Sequence, residues 1–176
     1  MSIHIKETTL SHPALMPFNI YRRTDPILAT CQTLILINPL VLADPRIIDG
    51  DREARFVDTG VVRLALSPFS KGVLQITHLL DQCPHIQALH IYTTGNPGRL
   101  DLGQDILTSE TMERYAWELQ SWFSCLPSYI NPTLTLGHCH VGDGPKGIAF
   151  IDQLRHLTGC HIRCLCSSTG HHLQLV

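Results

Sequence analysis

Short apolar runs recur along the chain, with polar or glycine- and proline-rich stretches between them. CQTLILI (31–37), GVVRLAL (60–66), IQALHIY (86–92), PTLTLG (132–137) and CHIRCLC (160–166) read as five strands. The third is apolar on both faces, as a central parallel strand is. Between them lie helical patterns. In 67–83, Val73, Ile76, Leu79 and Leu80 recur at helical spacing behind Ser70, a candidate N-cap. In 109–126, Met112, Tyr115, Ala116, Leu119, Trp122 and Phe123 form an apolar stripe behind Ser109, a second candidate cap. A third helix over 144–159 ends at Gly159, a C′ residue. Residues 98–103 suggest a small β-arm, and 43–58 a polar loop or short helical excursion. Residues 1–30 hold Pro13, Pro17 and Pro26 without periodicity and read as an extended or irregular arm.

Alternating strands and helices predict an α/β domain over 31–176, a mostly parallel, Rossmann-like sheet with helices on both faces. In such sheets sites form outside the carboxyl ends of the strands. Two such ends carry chemistry: LHIYTTGNPG places Thr94, Gly95 and Asn96 after one strand, and TLTLGHCHVGDG places His138, Cys139 and His140 after another.

Composition narrows the function classes. The chain has 176 residues, 44% hydrophobic and 16% charged, enough for one packed domain. A formal net charge of −2 gives no electrostatic argument for nucleic acid or a membrane surface. No apolar stretch is long enough to span a bilayer. Seven cysteines, an odd number, and an N-terminus without a basic-then-apolar leader favour reduced thiols and a cytoplasmic setting, with non-classical export left open.

Cys139 is the candidate nucleophile, because a thiolate beside an imidazolium attacks acyl carbons. His140, in the adjoining turn, is the candidate base. His90 shares a strand face with Thr94 but lies roughly 13 Å back along the strand. Zinc is an alternative, since Cys160, Cys164, Cys166, His171 and His172 follow. Strung over about 20 Å of strand, however, the three cysteines do not converge on one ion. GDGPKG (142–147) opens a helix but lacks the P-loop order. Trp117 lies off the helical stripe and would suit a partner surface. No cofactor or metal is expected.

The stretches KGVLQIT, ALHIYTTGNPGRLDLG, ERYAWELQSW and HCHVGDGPKGIAFIDQLRHLTG, with the final SSTG, resemble a bacterial domain family of uncharacterised function, DUF4347. That family is similar in fold to the caspase, gingipain and CHAT peptidases. The resemblance implies a caspase-like fold in which Cys139 falls on the nucleophile and Thr94 on the catalytic histidine. Gly95, Pro97 and Gly98 fall on the turn that follows. His138 and His140 replace the glycine and asparagine that flank the family cysteine. Threonine has no acid-base function near neutral pH. The expectation is therefore a pseudo-peptidase, a non-catalytic module that binds a protein or peptide or builds an assembly, with oligomer contacts through the N-terminal arm. A cysteine hydrolase using Cys139 and His140 is the alternative, and a zinc-binding structural protein the second.

Overall fold

The structure is a computed structural model, which describes residues 16–17, 26–38, 60–137 and 139–165. In chain order the elements are β1 (Met16–Pro17), α1 (Pro26–Ala29), β2 (Thr33–Ile37), β3 (Val61–Ala65), α2 (Gly72–Leu80), β4 (Ala88–Tyr92), β5 (Gly95–Asn96), β6 (Arg99–Leu102) and β7 (Asp105–Thr108). There follow α3 (Ser109–Met112), a 3-10 turn (Glu113–Tyr115), α4 (Ala116–Ser121), β8 (Thr133–Gly137), α5 (Gly144–Thr158) and β9 (His161–Leu165).

The five apolar runs become neighbours in one sheet, ordered β1-β3-β2-β4-β8-β9 and parallel throughout. Leu34, Val62, Leu89, Leu134 and Ile162 align across it, and two residues on Leu36, Leu64, Ile91, Leu136 and Cys164 do the same. Period-two alternation puts both rows on one face. All of these except the half-buried Cys164 are buried. Burying each such Leu or Ile side chain contributes about 1.5–3 kcal/mol. The intervening row, Arg63, Ile35, His90, Thr135 and Arg163, belongs to the opposite and more polar face.

Helices α2, α4 and α5 pack against one another, α4 in the middle, and flank the sheet. The connection from β2 to β3 runs in the reverse direction and spans 39–59, outside the described residues. The α/β class expected from the sequence is the observed one. Two pieces of the N-terminal 30 residues belong to this domain: Met16–Pro17 pairs with Leu64–Ala65, and Leu28 is fully buried in the core.

Three local expectations change. Ser70 does not cap α2. Lys71 occupies that position without a side-chain bond, and the Val73 N–H is taken by the Asp105 carboxylate at 3.1 Å. Gly72 is required there, because a Cβ would lie 2.3 Å from the Leu102 carbonyl oxygen. The 109–126 helix is capped by Thr108, not Ser109, through a reciprocal capping box with Thr111. It also breaks: Tyr115 leaves the helical region at φ −112 and ψ 14, between α3 and α4. Its stripe still faces inward, with Met112, Leu119, Trp122 and Phe123 buried and Trp117 82% exposed. The Trp122 indole donates to Thr77 Oγ1 at 2.9 Å, tying the end of α4 to α2. Gly159 closes α5 in the left-handed conformation, as its position in the sequence predicts.

The expected β-arm is larger than 98–103. β5, β6 and β7 form an antiparallel sheet of three strands. It anchors to the start of α2 through the Lys71–Gly103 bridge and the Asp105 carboxylate.

Candidate functional site

β4 and β8 are adjacent, with Tyr92 opposite Gly137. Their pairing extends past the strand ends, since the Thr93 N–H donates to the Gly137 carbonyl at 3.2 Å. The turns that follow are stitched together as well. The His140 N–H reaches the Gly95 carbonyl at 3.4 Å, and the Gly98 N–H reaches that of Val141 at 2.9 Å. The two stretches singled out in the sequence thus come together as one candidate site, at the carboxyl end of the sheet.

Glycine is what lets them approach. A Cβ on Gly95 would stand 3.2 Å from the Cys139 Cβ and 2.6 Å from the Arg99 carbonyl oxygen. Gly98 holds φ at +76, which glycine alone adopts without cost. Gly137 leaves room for the Tyr92 ring, which would lie 2.6 Å from a Cβ there.

Cys139 is 2% exposed and belongs to the hydrophobic core. It is not in a disulfide. His140 is half-exposed, and its Nδ1 lies 2.9 Å from the Asp143 carboxylate. That bond fixes the ring's orientation and leaves Nε2 as its second polar atom. Asn96 is exposed at the tip of the turn. His138 lies outside the described residues.

Thr94 is tied down from the β6 side. Its hydroxyl donates to Asp101 Oδ2 at 3.3 Å, and its carbonyl accepts the Asp101 N–H at 3.1 Å. The other Asp101 oxygen accepts from Arg99 Nε at 2.9 Å. One residue earlier, the fully buried Thr93 hydroxyl donates to the Asp101 carbonyl and accepts from Asn38 Nδ2 at 3.2 Å. Asn38, Arg99, Asp101 and Asp143 therefore adjoin the candidate site, and the sequence pattern singled out none of the four. Asp143 had a local signal, three residues after His140. Asp101 sat in plain view in GRLDLG, but only the fold of the β-arm brings it back to Thr94.

Other candidates fall elsewhere. His90 is half-buried within β4, well back from the strand end. Among the described residues, no three His, Cys, Asp or Glu side chains converge as a metal set. Cys160 is buried against the Thr158 hydroxyl at 3.0 Å, and burial pushes its thiol up from the ordinary value. Cys166, His171 and His172 lie outside the described residues. Among the described residues, no helix is long and apolar enough to cross a membrane.

These features define a class: a parallel α/β sheet whose candidate site joins two adjacent strand ends through glycine turns. The family described as "Domain of unknown function (DUF4347)" matches residues 40–174, and the chain belongs to it. Among curated proteins, none matches the sequence.

Proposed function

We propose that this domain is a caspase-like pseudo-peptidase, a non-catalytic module that binds a protein or peptide partner or helps to build an assembly. One observation carries the reading. The strand end beside Cys139 presents Thr94, whose hydroxyl is engaged by Asp101, while Cys139 itself is enclosed in the core. A threonine hydroxyl supplies neither the base that makes a thiolate nor the acid that protonates a leaving amine. The test combines fluorogenic acyl-peptide substrates with an electrophilic acyloxymethyl ketone probe on the purified chain. The expected result is no turnover above buffer and no adduct at Cys139. Turnover abolished by Cys139→Ala would overturn the reading.

A second reading is a cysteine hydrolase, favoured by the His140–Asp143 pair. A carboxylate holding one imidazole nitrogen is how a catalytic histidine is oriented. In that reading His140 takes the Cys139 proton, the sulfur attacks the acyl carbon, and the proton passes to the leaving group. Its signature is probe labelling of Cys139 that falls at least roughly tenfold in both His140→Ala and Asp143→Asn.

A further inference from the structure

We draw no further inference here: the strongest candidate, the exposed apolar side chains Leu74, Trp117 and Ile148, one on each of the packed helices α2, α4 and α5, carries none because nothing in the structure shows what covers them.

Discussion

Thr94 and Asp101 face each other across the turn from β5 to β6, the hydroxyl donating to the carboxylate at 3.3 Å. The side chain at the end of β4 is thereby turned towards the β-arm. Thr94→Val should remove that bond and cost about 0.5–1.5 kcal/mol. Urea unfolding would show it as a lower midpoint with an unchanged slope. Thr94→Ser should stay close to the parent, because it keeps the hydroxyl.

Gly95 is held against Cys139 and the Arg99 carbonyl more tightly than any side chain allows. Gly95→Ala should force the two turns apart, at a cost of roughly 1–3 kcal/mol. The same variant should speed Cys139 alkylation by opening its cover. A variant as stable as the parent, with Cys139 no more reactive, would count against this packing.

Cys139 is buried and Cys125 exposed, so the two make an internal comparison. Iodoacetamide should modify Cys125 at least roughly tenfold faster in the folded chain, the gap closing in denaturant. A Cys139 that reacts as fast as Cys125 would show an open, reactive site and favour the hydrolase reading.

Asp105 joins three elements: from β7 its carboxylate accepts from Val73 N–H at the start of α2 and from the Tyr115 hydroxyl at 2.7 Å. Asp105→Ala leaves an uncapped helix end and an unpartnered phenol, and should cost about 2–3 kcal/mol. Chemical denaturation against the parent would measure it. Thr108→Ala, at the neighbouring cap, should cost about 1 kcal/mol.

The same bond gives a pH signature. The hydrogen bond to Asp105, helped by burial, pushes the Tyr115 phenol up to about 12. The folded state then holds its proton more tightly than the unfolded state, whose value is about 10. The contribution is complete below about pH 10 and is lost as pH rises through about 12. On a half-buried phenol it amounts to about 1–2 kcal/mol once solvent screening is allowed for. Tyr115→Phe should flatten this part of the stability profile. An unchanged alkaline slope in that variant would place the titration on another group.

The sequence by itself determined the sheet. CQTLILI, GVVRLAL, IQALHIY, PTLTLG and CHIRCLC each carry their strand, trimmed at the ends, because burial is written locally as an apolar run. It also placed both glycine turns at one edge of the sheet, since each follows a strand and can only sit at the carboxyl edge. Tertiary structure decided what fills the site and what caps the helices. Asp101 meets Thr94 only after the β-arm folds back, and Asp105 reaches Val73 across 32 residues, displacing Ser70 from the role its position suggested. The break at Tyr115 falls where its hydroxyl is held by Asp105, inside a stripe that by period alone is unbroken. Periodicity records which side of an element turns inward. It carries no record of which distant polar group waits there, because that partner is chosen by the packing of other elements.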